Sequence, residues 1–288
     1  MAVPECVWPL AAELGEGPVW LADQQAVWFV DIKGLRVHRL DTIGGTRRSF
    51  DAPSQPGFIL PVAGGGFVCG LKTGLHRFEC ETGAFSLLNA VEPRAVGTRL
   101  NDAHVDAQGR LWFGTMDDGE SQPSGKLYRL GARGAVLCDE PYVITNGPAA
   151  SPDGRVLYHI DTLERVIYAF DLADDGALSA KRVFADVEQG YPDGPTVDCE
   201  GCVWVGLFGG WGLNRYSPAG KLLETLRLPC ANVTKAAFGG ADLRTLYITT
   251  AWKGLGAAER AAQPLAGGLF ALRVATPGLR QGEICHGV

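Results

Sequence analysis

Six stretches decide the fold: AVWFVD (26–31), GFVCGL (66–71), RLWFGT (110–115), VLYHID (156–161), CVWVGL (202–207) and TLYITT (245–250). Each is a short run rich in β-branched and aromatic residues, too short for a helix. With Trp28, Val68, Trp112, Tyr158, Trp204 and Tyr247 as equivalent anchors, the spacings are 40, 44, 46, 46 and 43 residues. A period of this size corresponds to one four-stranded propeller blade per unit. A third strand follows in each unit, from VHRLD (37–41) to LFALR (269–273), and weaker fourth strands include RRSFDA, FSLLNA and KRVFADV. The expected architecture is all-β: a six-bladed β-propeller of four-stranded blades.

The sixth unit has no fourth strand of its own. Cys6-Val-Trp-Pro-Leu10 precedes GEGPVW just as KRVFADV precedes YPDGPTV, so the N-terminal segment is expected to supply the missing outer strand. Closing the ring in this way hides edges that invite aggregation. No linker divides the chain, and a single propeller domain over 1–288 is expected.

Composition narrows the function. A net charge of −6 and the absence of a basic stripe argue against nucleic acid as a partner. No stretch reaches membrane-span length, and the N-terminus shows no basic start followed by an apolar run. A cytoplasmic protein with its eight cysteines reduced is expected, a monomer or weak oligomer. The one C-x-x-C, Cys199 to Cys202, lies in VDCEGCVW, which matches VDAQGRLW at 105–112, so it reads as a hairpin and not as half a zinc site.

Counting back 11 or 12 residues from the anchors reaches Glu16, Asn101, Asn146, Asp193 and Lys235. The first strand of each blade lines the propeller axis, so these side chains should converge at one mouth. Three of them stand in x-Gly-Pro: Glu16-Gly-Pro, Asn146-Gly-Pro and Asp193-Gly-Pro. Two carboxylates and two amides in a narrow funnel are costly unless something offsets repulsion and desolvation. A hard divalent cation does so: Ca²⁺, Mg²⁺ and Mn²⁺ suit all-oxygen ligands, and Zn²⁺ and Fe²⁺ are also admissible. Lys235 is expected to balance the acidic funnel. No G-x-S-x-G elbow and no paired-histidine metal spacing occurs. His104 reads as a blade residue, and Trp211 and Trp252 as packing.

Together LGEGPVW, RLNDAHVDAQGRLWFGTM, NGPAASPDG, YPDGPTVDCEGCVWVG and FGGADLRTLYITTA resemble the senescence-marker-protein/gluconolactonase family, the regucalcin-like sugar lactonases. The likeness covers nearly the whole chain and is greatest to bacterial aldonolactonases. It implies that Glu16, Asn146 and Asp193 hold a metal, with Asn101 touching substrate or metal-bound water and Arg99 binding sugar hydroxyls. It also implies an acidic substrate contact after GTM. GTMDDGESQ offers Asp117, Asp118 and Glu120 without deciding among them, and Glu120 is the working assignment. The implied reaction is metal-assisted opening of sugar-acid lactones (xylono-, arabino-, galactono- or gluconolactone), with Asp193 as general base. The competing readings are a non-catalytic calcium-binding protein, an aryl-ester or lactone hydrolase for apolar substrates, and a propeller serving as an interaction platform.

Overall fold

A computed structural model describes residues 3–287. Its strands form six four-stranded antiparallel sheets, five of them consecutive in sequence. The innermost strands are β2 (Gly15–Leu21), β6 (Pro56–Pro61), β10 (Thr98–Val105), β14 (Thr145–Ala150), β18 (Tyr191–Val197) and β22 (Asn232–Gly239). The sixth sheet runs β22, β23 (Thr245–Ala251), β24 (Leu269–Arg273) and then β1 (Glu5–Trp8). The N-terminal strand therefore closes the ring as expected, pairing Glu5 with Ala271 and Cys6 with Phe270. Trp8 anchors it, edge-on to Phe29 with ring centroids 5.6 Å apart.

Burial grades outward along each blade. Strands β2, β6 and β22 are buried at every residue, whereas an outermost strand such as β21 (Leu222–Arg227) is largely exposed. The anchors Trp28, Trp112 and Trp204 are fully buried and fill the space between neighbouring sheets. Two of them share a device. Asp106 accepts Trp112 Nε1–H at 2.8 Å, and Asp198 accepts Trp204 Nε1–H at 2.9 Å. Each carboxylate also takes two backbone N–H groups of its hairpin and an arginine, Arg110 or Arg215. Asp198, Glu200 and Cys202 lie close enough together to suggest a cation site. The donors on Asp198 already use its lone pairs, and the matching Asp106 hairpin has no cysteine, so the cluster is blade architecture.

A short helix, α1 (Ala257–Ala262), sits in the connection from β23 to β24. Past β24 the chain crosses the far end of the axis, bridging Gly278 to Asp198 and Ile284 to Val62. Residues Leu279 to Gly282 line the narrow space at that end, opposite the wider mouth.

Candidate functional site

All six inner strands break register with their neighbours at the same depth: between Glu16 and Val19, Pro56 and Phe58, Leu100 and Ala103, Asn146 and Ala149, Pro192 and Pro195, and Val233 and Ala236. A bulge bends a strand and re-aims its side chains, and here the bulges turn polar residues toward the axis. Gly17 and Gly147 take positive φ (54° and 83°) at two of them, which explains why glycine follows the polar residue there.

Glu16, Asn101, Asn146 and Asp193 each lie three residues before the partner of their blade's anchor, as Val19 pairs Trp28 and His104 pairs Trp112. Lys235 does not share this offset. Its anchor Tyr247 pairs with Ala237, so Lys235 sits one step deeper, level with Asp102. There its ammonium meets the Asp102 carboxylate at 2.5 Å. Asp102 also accepts the backbone N–H groups of Ala103 and Gly147, both at 2.8 Å. Asp102 was not among the expected site residues, although it directly follows Asn101.

Three carboxylates (Glu16, Asp102 and Asp193) and one ammonium thus share a buried space. Burial, then the Asp102 charge, pushes the Glu16 carboxyl up to about 7. Burial, then the charges of Glu16 and Asp102, raises Asp193 well above the ordinary range. The cluster as a set of ionised groups carries a surplus of two negative charges, which one divalent cation would neutralise. The donor set of carboxylate and amide oxygens fits such an ion.

The two amides are oriented by a one-way chain of hydrogen bonds. Arg99 Nη1, which can only donate, gives a hydrogen bond to Asn101 Oδ1 at 2.6 Å. Asn101 Nδ2 then donates to Thr145 O at 2.6 Å and to Asn146 Oδ1 at 3.0 Å. Asn146 Nδ2 donates to Thr162 Oγ1 at 2.8 Å, and that hydroxyl donates to Pro192 O at 3.0 Å. A guanidinium at one end and a carbonyl at the other leave no choice of direction. Asn146 Oδ1 is thereby held as an acceptor with a second lone pair free.

Above the ring opens a cavity of about 190 Å³. Glu16, Arg99, Asn101, Asn146, Asp193 and Glu120 all line it, among apolar walls that include Met116, Ile144 and Phe208. The structure separates the three acids after GTM. Asp117 accepts the Ser121 and Gln122 N–H groups of its own turn. Asp118 gathers Lys33, Lys72, Gln55 and the buried Arg99. Glu120 alone of the three lines the cavity, and Lys253 from the sixth blade pairs with it. Lys253 and Thr162 are cavity residues that the repeat pattern does not single out.

His104 lies at the narrow end of the axis, its imidazole pushed down to about 4 by burial and then by Lys235. Neither Trp211 nor Trp252 lines the mouth cavity; Trp252 donates to Ala11 O at 2.9 Å.

A family model described as SMP-30/Gluconolactonase/LRE-like region matches residues 14–252. A 6-deoxy-6-sulfogluconolactonase of Pseudomonas putida is 37% identical over 95% of this chain and 96% of its own. Among solved structures, a luciferin-regenerating enzyme superposes with a TM-score of 0.93 at 29% identity, covering 99% of this chain and 100% of that one. A calcium-binding regucalcin of Agrobacterium tumefaciens also gives 0.93, at 25% identity over 98% and 96%.

Proposed function

The chain belongs to the SMP-30/gluconolactonase/LRE-like family, and on that premise we propose that it is a divalent-cation-dependent hydrolase opening sugar-acid lactones to aldonic acids. The observation that carries this reading is a cavity with two contrasting layers. Its floor is the oxygen cluster of Glu16, Asn146 and Asp193, and its wall carries Arg99, Asn101 and Glu120, groups suited to sugar hydroxyls. A bare regulatory cation site has no need of that wall. The relative from Pseudomonas putida, named for a sugar lactone, supports the same substrate class.

Glu16, Asn146 and Asp193 would hold the cation. When bound it supplies Lewis-acid polarisation of the lactone carbonyl. Arg99 and Asn101 orient the ring through its hydroxyls. Asp193 accepts a proton from the attacking water and returns it to the ring oxygen as that bond breaks, so protons balance across the step. The basicity that burial alone gives this carboxyl is lowered when the cation is bound, and a readily hydrolysed lactone tolerates the weaker base.

Ring opening of xylono-, arabino-, galactono- and gluconolactone, followed with the cation controlled, tests the proposal. Rates above the spontaneous background should vanish on chelation and return with added cation. Cation binding without any acceleration would sink the catalytic reading, and hydrolysis of aryl esters alone would redirect it.

Glu120→Ala should raise KM about 10-fold while changing kcat less than about 3-fold, the pattern for a contact made equally in ground and transition states. A hydrogen bond to a charged group has about that magnitude. Steady-state kinetics on the best lactone checks this, and an unchanged KM would remove Glu120 from substrate binding.

A further inference from the structure

We propose that Thr162 is the positioning residue that fixes Asn146 as a cation ligand, an inference that rests on the cation reading above. Thr162 directly follows β15 (Val156–Asp161) on the fourth blade and is 5% exposed. Its backbone is pinned, its N–H donating to Ile144 O at 3.2 Å and its carbonyl accepting Arg165 N–H at 3.2 Å. Its hydroxyl has one proton, and Pro192 O can only accept, so that proton goes to Pro192. The hydroxyl must therefore meet Asn146 with a lone pair, and the Asn146 group facing it must be the amide nitrogen. The carboxamide oxygen is turned the other way, where Asn101 uses one of its lone pairs.

The same hydroxyl ties together two elements of the cluster. Pro192 is the residue before Asp193 and belongs to the fifth blade, while Asn146 belongs to the fourth. One side chain thus sets the amide of one ligand and the strand that carries another. With the hydroxyl removed, the Asn101 N–H alone opposes rotation of the Asn146 amide, so the ligand keeps one of its two fixing contacts and loses the other. Groups that orient metal ligands in this manner typically change affinity about 10- to 100-fold when removed.

Thr162→Val keeps the side-chain shape and removes the hydroxyl; Thr162→Ser keeps the hydroxyl and removes a methyl group. Calorimetric titration with Ca²⁺ and with Mn²⁺ should show affinity reduced about 10- to 100-fold in T162V and restored to within about 3-fold in T162S. A merely structural role would move thermal stability in both variants without separating them in affinity. Thr162→Ala adds no bulk against Asn146 and carries the same expectation should the valine variant fail to fold. Equal affinity in the unaltered chain and T162V overturns the role of Thr162 alone. No binding by the unaltered chain overturns the cation reading, and this inference with it.

Discussion

Asp193→Asn should abolish measurable lactone hydrolysis, with a loss of about 10³-fold or more in kcat/KM. Two effects combine. Removing a general base typically costs 10²- to 10⁴-fold by itself. The substitution also lowers the charge of the cluster, leaving Glu16 and Asp102 against Lys235 and weakening the attraction for a divalent ion. The shape of the site should survive, because an asparagine oxygen can still accept the Gly194 N–H that Asp193 Oδ1 takes at 3.0 Å. The effects separate by titration: raising the cation to saturation recovers the binding component and leaves the base component, so turnover should stay at least about 10²-fold down. Full recovery at high cation would assign Asp193 to the cation alone. Full activity without added cation would remove it from the mechanism.

Much of this site is legible because a propeller repeats. Trp28, Trp112 and Trp204 mark blade positions by size and spacing, and their hairpin partners bring Glu16, Asn101 and Asp193 to equal offsets. Lys235 shows the limit of counting. Tyr247 pairs with Ala237 across a hairpin at least one residue longer, so a count that works in other blades stops one step too deep in the sixth. A one-residue slip along a strand changes where a side chain points, which is why Lys235 meets Asp102 below the ring. Thr162 was less visible still, since its partners lie 16 and 30 residues away and on two blades. The only hint is that a hydroxyl stands where the first blade has Ile32, each directly following a second-strand aspartate. The acids after GTM could not be ranked from spacing because they occupy a turn, where Glu120 takes a φ of 57° and periodicity gives no direction.

Removing the cation should add a loss of stability with rising pH that the bound cation cancels. The sign follows from the carboxyls. Glu16 has its pKa raised from 4.5 to about 7, so above 4.5 the folded chain binds protons that the unfolded chain has released. Stability then declines with pH until Glu16 has ionised in the folded state as well. Asp193 is raised in the same direction and extends the decline. Three histidines act oppositely in acid: His38 and His104 are lowered to about 4 and His159 to about 3, chiefly by desolvation. Their contribution grows with pH until the unfolded imidazoles, half protonated at 6.5, have lost their protons, and it is the same with and without the cation. The difference between chelated and cation-bound protein, taken at pH 6.5 and at pH 8.5, therefore isolates the carboxyls. In the presence of chelator Glu16 alone should contribute a loss on the order of 1 kcal/mol across that interval, roughly 2 °C in Tm, and Asp193 adds to it in the same direction. A bound cation holds both groups ionised at either pH, so the stabilisation it gives over the apoprotein should be larger at pH 8.5 than at pH 6.5. Thermal melts at the two pH values, with chelator and with saturating Ca²⁺ or Mn²⁺, give the four numbers required. A cation-induced stabilisation no larger at pH 8.5 than at pH 6.5 would mean that Glu16 and Asp193 are ionised without a cation, and the electrostatic case for one at this site would fail.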